Sequence, residues 1–346
     1  MKYFNAKAGT KPENKHDKIA GEIEKTIHDG IYRGQLPAVA VLAEKFEANP
    51  ITIRKALNSL EKVGLIEKRE RIGSFVKHMK RLAVISNQSS EKTAEHSLNT
   101  NTIYAPLLKG IESEAMRENH SLIQLVYSYD KNFDAKLKNE VDGCICQTEC
   151  PAIKGLPMIQ VMGLPNHNDI PQITYDNSVV GTMAAEYLTE RDCQRFIYFG
   201  HANSPLFAER MGYFKRKVEA AGKEFIHIYT DIVTMNAGEI LEVAKTRLSE
   251  IFKNKSIRTG IHISADIFAV AVYQALYGAG LEPVTNVPVI SCNNNHQLLH
   301  GVHPCPPSID IRMTEIGEQS VKTLLKILSG DTKAPLKSII LTPIKP

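Results

Sequence analysis

From Arg81 onward, short apolar runs alternate with longer amphipathic ones, and nothing else in the 346 residues restricts the fold so tightly. The runs RLAVIS, SLIQLVYS, DGCICQ, PMIQVMG, RFIYFGHA, FIHIYT, TGIHIS and VPVISCN read as strands. Between most of them lie helical patterns such as YAPLLKGIESEAMREN, SVVGTMAAEYLTERD, FAERMGYFKRKVEAAG, AGEILEVAKTRLSEIFKN and ADIFAVAVYQALYGAG. Such alternation builds parallel sheets covered on both faces. About 265 residues exceed one sheet of this kind, so two lobes are predicted.

Open parallel sheets bind ligands beyond the carboxyl ends of their strands. The residues placed there are Ser86-Asn87, Gln147-Thr148, His201-Ala202-Asn203, Ser264-Ala265-Asp266 and Asn293-Asn294-Asn295. Nearly all are uncharged hydrogen-bonders; with one carboxylate and one arginine they suit a neutral polyol better than a phosphate. No glycine-rich phosphate loop follows a strand, since Gly278-Ala279-Gly280 follows a helix. An enzyme is the competing reading, with Asp266 and His201 or His262 as the nearest approach to a dyad. No nucleophile elbow, metal-ligand cluster or paired carboxylate accompanies them, so no catalytic residue, cofactor or metal is expected. Cys144 and Cys146 are expected on opposite faces of one strand, ill-placed to share a metal, and all six cysteines are expected to stay reduced.

The first fifth of the chain differs in character. Residues 1–80 hold 16 Lys and Arg against 10 Asp and Glu, while the remainder holds 26 against 28. The basic excess behind the net charge of +4 therefore lies at the N-terminus, as phosphate contacts require. After a polar tail, a helix is predicted from about His16 to Asp29, with Ile19, Ile23 and Ile27 on one face and Gly30 ending it. A second, VAVLAEKFEA, turns Val41, Leu42 and Phe46 toward Ile53 and Leu57. A third opens with Asn49 as its cap and Pro50 at its first position. Ile53, Ala56, Leu57, Leu60 and Val63 form its core face, and Thr52, Arg54, Lys55, Asn58 and Lys62 its outer face, a donor-rich surface suited to a DNA major groove. Gly64 stops this helix, and the chain from Leu65-Ile66 to Gly73-Ser74-Phe75-Val76 makes a ribbon carrying Lys68, Arg69 and Arg71. That order of elements is a winged helix-turn-helix. No charged-then-apolar leader and no long apolar run occur, so neither export nor a membrane span is expected.

Over residues 16–77 the sequence resembles the GntR-type winged helix-turn-helix regulators of bacteria. The matching pieces are Leu36-Pro37, Leu42-Ala43-Glu44, Thr52-Ile53-Arg54-Lys55-Ala56-Leu57, Leu60-Glu61, Gly64-Leu65-Ile66 and Gly73-Ser74-Phe75-Val76. The resemblance implies that Asn49, Pro50, Ile51, Thr52, Arg54 and Lys55 lie along DNA and that the wing tip near Arg71 approaches the minor groove. Val39-Ala40 and Pro50 stand where relatives carry base-reading arginines, which leaves Thr52, Arg54 and Lys55 as the candidate readers.

Over residues 81–335 the chain is similar to the LacI/GalR regulator core, which shares the two-lobed fold of periplasmic sugar-binding proteins. Val141-Asp142-Gly143-Cys144-Ile145, Ile173-Thr174-Tyr175-Asp176-Asn177, Arg210-Met211-Gly212-Tyr213-Phe214, Ser264-Ala265-Asp266, Val287-Pro288-Val289-Ile290-Ser291 and Pro306-Pro307-Ser308-Ile309-Asp310 carry the likeness, in the family's order. It implies effector contacts from Arg210, Asp266 and Asn293, with Asn293 replacing an aspartate, and from Tyr104, placed to stack on a ring. Ala265 replaces the asparagine that usually precedes Asp266, and the chain has no Trp to serve as a stacking platform.

The expected protein is thus α/β: a winged helix-turn-helix over 1–77, a linker at 78–80, and a two-lobed, periplasmic-binding-protein-like effector-binding and dimerisation domain with parallel sheets over 81–346. It is expected to act in the cytoplasm as a transcriptional repressor and homodimer, binding a double-stranded DNA operator under the control of a small sugar. A nucleobase or a phosphorylated sugar is the alternative effector.

Overall fold

A computed structural model describes residues 14–29, 31–32, 34–77, 79–86, 100–127, 130, 132–147, 151–162, 170–201, 203–231, 235–254, 256–330, 339–343 and 346. Gly30, His78, Asn87, Thr148, Cys150 and Ala202 lie outside the described residues. The chain divides into two compact units, Met1–Arg81 with Met116–Ser121, and Leu82–Ala115 with Leu122–Pro346.

The first unit contains helices α1 (Lys15–His28), α2 (Val39–Lys45) and α3 (Pro50–Lys62) and an antiparallel ribbon of β1 (Ile66–Arg69) and β2 (Gly73–Val76). Ile19, Ile23, Leu36, Leu42, Ile53, Leu57, Leu60 and Ile66 close its core. Two residues expected inside point outward: Val41 is 53% exposed and Val63 is 61% exposed. α2 is only seven residues long and buries Leu42 alone, while Val63 is the C-cap of α3, where helical periodicity has ended.

The second unit holds two sheets. The first has the order β13-β7-β6-β5-β3-β4, formed by Ile339–Leu341, Gln172–Tyr175, Met158–Val161, Gly143–Gln147, Arg81–Ser86 and Ser121–Val126 respectively. The second has the order β12-β11-β10-β8-β9, formed by Ser308–Ile309, Val289–Cys292, Thr259–Ile263, Arg195–Gly200 and Glu224–Tyr229. Registered pairs in both sheets are parallel, with Ile261 lying between Ile197 and Val289 and Ile145 between Val84 and Ile159. The chain enters the second lobe after β7 and returns after β12 through α11 (Met313–Leu328), which packs on β5, β6 and β7. The strands β12 and β13 escape the sequence pattern because they are two and three residues long, and β7, Gln172–Tyr175, because Gln172 and Thr174 interrupt its apolar residues.

Cys144 and Cys146 correct one expectation. Residues two apart on a strand face the same way, and both thiols join Ala83, Ile85 and Met158 in one core cluster that Leu137 of α5 (Phe133–Glu140) also enters. Close helix packing explains two glycines. A Cβ on Gly317 of α11 would stand 2.3 Å from the carbonyl of Leu107 in α4 (Thr100–Arg117), and one on Gly110 of α4 would stand 2.0 Å from the carbonyl of Thr314.

Candidate functional site

In the first unit, the Asn49 side chain accepts a hydrogen bond from the Ile51 N–H at 2.8 Å, and Pro50 occupies the first helical position. The start of α3 is thereby fixed, leaving Ile51, Arg54, Lys55 and Asn58 exposed and Thr52 half-buried. The cations around it are not equivalent. Lys68 is held 2.7 Å from Glu61, and Arg69 pairs with Glu67 at 2.5 Å while stacking on Phe75. Arg54, Lys55 and Arg71 are exposed and form no ion pair among the described residues. Arg71 sits at the ribbon's turn with φ +61. A third segment braces that turn: Gln35 bridges to Phe75 and its carboxamide donates to the Ile72 carbonyl at 2.8 Å.

In the second unit, the strand ends of both lobes converge on Arg210. This residue lies on α7 (Pro205–Ala220), which packs against α6 (Asn177–Thr189) at Gly181, where a Cβ would meet the Arg210 carbonyl at 2.4 Å. Its guanidinium, 1% exposed, donates to Asn177 Oδ1 at 3.2 Å, to the Tyr175 hydroxyl at 2.8 Å and to the Ser264 carbonyl. Tyr175 ends β7 in the first lobe, and Ser264 follows β10 in the second, so one side chain ties both lobes. The motif Tyr175-Asp176-Asn177 explains the arrangement. Asp176 caps α6 through the N–H groups of Ser178 and Val179, at 2.8 and 3.3 Å, and this turn presents the residues on either side to Arg210.

Tyr104 is half-buried on α4, and burial pushes its phenol up to about 12, with Tyr175 as the next influence. Phe207 lies 5.0 Å from the Arg210 guanidinium and 4.1 Å from the His201 ring. Burial lowers the pKa of His201, against the opposing charge of Asp231. Its Nε2 is buried without a partner among the described residues.

Asp266 is committed inside the protein. Its Oδ1 accepts from the hydroxyls of Ser291 and, at 2.8 Å, Ser308, and its Oδ2 accepts from the Asn295 N–H at 2.7 Å. Burial nevertheless raises its pKa to about 6. The carboxylate is a strut joining the ends of β10, β11 and β12. It does not meet His262, which lies between Tyr198 and Phe214 and whose pKa burial lowers to about 3. Asn293 is buried at φ +108, and its carboxamide has no hydrogen-bond partner among the described residues. Asn294 takes φ +50, and Asn295 caps α10 (His296–Leu299), so these two asparagines serve the turn. Of the residues singled out from the sequence, Tyr104 lies near Tyr175 beside Arg210 and Asn293 follows the end of β11, whereas sequence reasoning overlooks the Tyr175, Asn177 and Phe207 side chains around the guanidinium. The first two stood inside a quoted motif; Phe207 gave no signal, since an aromatic one helical turn before an arginine is ordinary core patterning.

Residues 15–76 match the family of bacterial regulatory proteins of the gntR type, and residues 185–345 match the periplasmic binding protein-like domain. The NTD biosynthesis operon regulator NtdR of Bacillus subtilis is 23% identical over 334 residues, covering 88% of this chain and 99% of its own. The ribose operon repressor of Escherichia coli is 24% identical over 263 residues, covering 71% of this chain and 77% of its own. Among solved structures, a LacI family regulator from Enterococcus faecium with bound ribose superposes with a TM-score of 0.62 at 18% identity, over 77% of this chain and 97% of that one. A periplasmic binding protein/LacI regulator from Alkaliphilus metalliredigens, complexed with D-xylulofuranose, gives 0.60 at 20% identity, over 76% and 96%. Residues 15–76 are thus a DNA-binding module of the gntR regulators, residues 185–345 a periplasmic-binding-protein-like domain, and the chain that joins them is a transcription regulator rather than an enzyme.

Proposed function

We propose that this regulator is a cytoplasmic repressor that binds a two-fold operator as a homodimer and changes its DNA affinity when a small carbohydrate occupies the cleft. The observation that carries the reading is Arg210, buried and hydrogen-bonded to strand ends of both lobes. A ligand that engages such a node favours one lobe arrangement over another, which is what coupling to a distant site requires. Tyr104, Arg210 and Asn293 touch the effector in this reading, with Tyr175, Phe207 and His201 beside them, and Asp266 positions the loops. Ribose and D-xylulofuranose in the related structures support a sugar. On the DNA side, Asn49, Pro50, Ile51, Thr52, Arg54 and Lys55 follow the major groove and Arg71 the minor groove. Arg54, Lys55 and Arg71 support this, because they are exposed and no acid pairs with them among the described residues.

Thermal melting against pentoses, hexoses, their acids and phosphates, and nucleobases tests the effector class. A ligand at 100 times its Kd adds about 2.7 kcal/mol of stability. A response to nucleobases or phosphates with none to carbohydrates would replace the proposed class. Arg54→Ala should weaken DNA binding by about 1–3 kcal/mol and leave effector binding intact. Unchanged DNA affinity would remove α3 from the interface.

A further inference from the structure

The polar groups around Arg210 are unevenly matched. Its three partners, the Asn177 carboxamide oxygen, the Tyr175 hydroxyl and the Ser264 carbonyl, are all neutral. Among the described residues no carboxylate lies within 4.0 Å of the guanidinium. The nearby acids act on it only from a distance. Asp266 feels the Arg210 charge but is bonded to two serine hydroxyls and a backbone N–H, Asp231 accepts from the Tyr229 hydroxyl and lies near His201, and Glu209 lies near Asp176, Asn177 and Tyr175. A buried charge is ordinarily in direct contact with an opposite one, and among the described residues this one is not.

The hydrogen-bond count has the same imbalance. A guanidinium offers five N–H donors, and Arg210 uses one from Nε and one from each terminal nitrogen, which leaves one donor on each terminal nitrogen. The Asn177 oxygen and both Asp266 oxygens are already engaged by internal donors. The buried His201 Nε2 and the Asn293 carboxamide remain for further contacts. A neutral polyol brings no charge to this setting. A carboxylate brings acceptors for a two-pronged donor together with the missing negative charge.

We infer that the effector is a carboxylate-bearing polyol, a sugar acid, with its carboxylate on the two remaining donors of Arg210 and its hydroxyls toward His201 and Asn293. The inference rests on the cleft being the effector site proposed above. It selects a carboxylate over a phosphate because the described strand-end residues add no second lysine or arginine.

The test compares matched neutral and acidic sugars on the full chain by thermal shift and titration calorimetry: glucose with gluconate and glucuronate, galactose with galacturonate, and ribose with ribonate. At least one acid should bind, and its neutral parent should bind at least about tenfold more weakly, as expected for loss of a charge-assisted pair. Arg210→Gln should reduce the acid's affinity to that of the neutral parent. Arg210→Lys, which keeps the charge and loses the fork, should fall between. The inference is overturned if the neutral parent binds as tightly as its acid, or if Arg210→Gln leaves the acid's affinity unchanged. Binding of neutral sugars alone overturns the carboxylate and retains the proposed carbohydrate effector; binding of neither class overturns both. The comparison on the unaltered chain decides the matter even if the Arg210 variants fold poorly.

Discussion

Asp266→Asn is the substitution that separates the two forces on the strut beneath the cleft. Three internal donors favour the ionised carboxylate, whereas complete burial disfavours it, and burial dominates, moving the pKa from 3.8 to about 6. An acid whose folded pKa is raised takes up protons more readily in the native state. Its contribution to stability is therefore fully present below about 3.8 and lost as pH rises through about 6. The displacement corresponds to about 3 kcal/mol across that window, of which about 2 kcal/mol falls between pH 4.5 and 7. Asparagine cannot titrate. The variant's penalty relative to the parent should thus be largest near pH 4.5 and shrink by about 2 kcal/mol by pH 7. Urea unfolding of both proteins at several pH values measures this, and the difference between them cancels titrations they share, including that of His262. A penalty that stays constant with pH, or grows as pH rises, would show that the three donors outweigh burial and hold the carboxylate ionised.

Other substitutions probe separate layers of the architecture. Gly317→Ala places a methyl group 2.3 Å from the Leu107 carbonyl, so α4 and α11 must separate, and melting experiments should show a loss of about 1–3 kcal/mol or more. Asn49→Ala removes the cap of α3 and should cost about 1 kcal/mol of stability, with DNA affinity in gel-shift titrations falling alongside as the helix start frays. For His262, burial lowers the pKa from 6.5 to about 3, so its neutral form is selected on folding and stability falls as pH drops below about 6.5. His262→Leu should flatten that acid limb in chemical denaturation between pH 4.5 and 6.5, and an unchanged limb would assign it to other groups.

How far the sequence could be read depended on whether local chemistry or distant contacts set each feature. The cap at Asn49, the turn at Gly64 and the strands RLAVIS and TGIHIS follow from neighbours along the chain, and the structure forms them where the pattern placed them. Val41 and Val63 were misplaced because periodicity holds only inside a helix, and one lies in a very short helix and the other at its end. In the cleft, Arg210 was legible from its motif. Its partners were not, since Tyr175, Asn177 and Ser264 are 35, 33 and 54 residues away. Asp266 illustrates the same limit: a carboxylate after a strand resembles a ligand-binding group until Ser291 and Ser308, 25 and 42 residues downstream, are seen to occupy it.

The Tyr175 hydroxyl offers a direct test of whether Arg210 reports lobe arrangement. Its hydrogen bond to the guanidinium joins the end of β7 to α7. Bonds to charged groups are worth about 1.5–3 kcal/mol. A swing from 1:99 to 99:1 between two arrangements needs about 5.5 kcal/mol of differential binding, so this bond could supply about a quarter to a half of it. Tyr175→Phe removes the hydroxyl and keeps the ring. If the bond forms only in the arrangement that binds effector, effector affinity should fall about tenfold or more, and DNA binding should then respond to effector at correspondingly higher concentrations. If affinity for the effector stays within about twofold of the parent, the bond persists in both arrangements, and the discrimination must come from the Ser264 side of Arg210 instead.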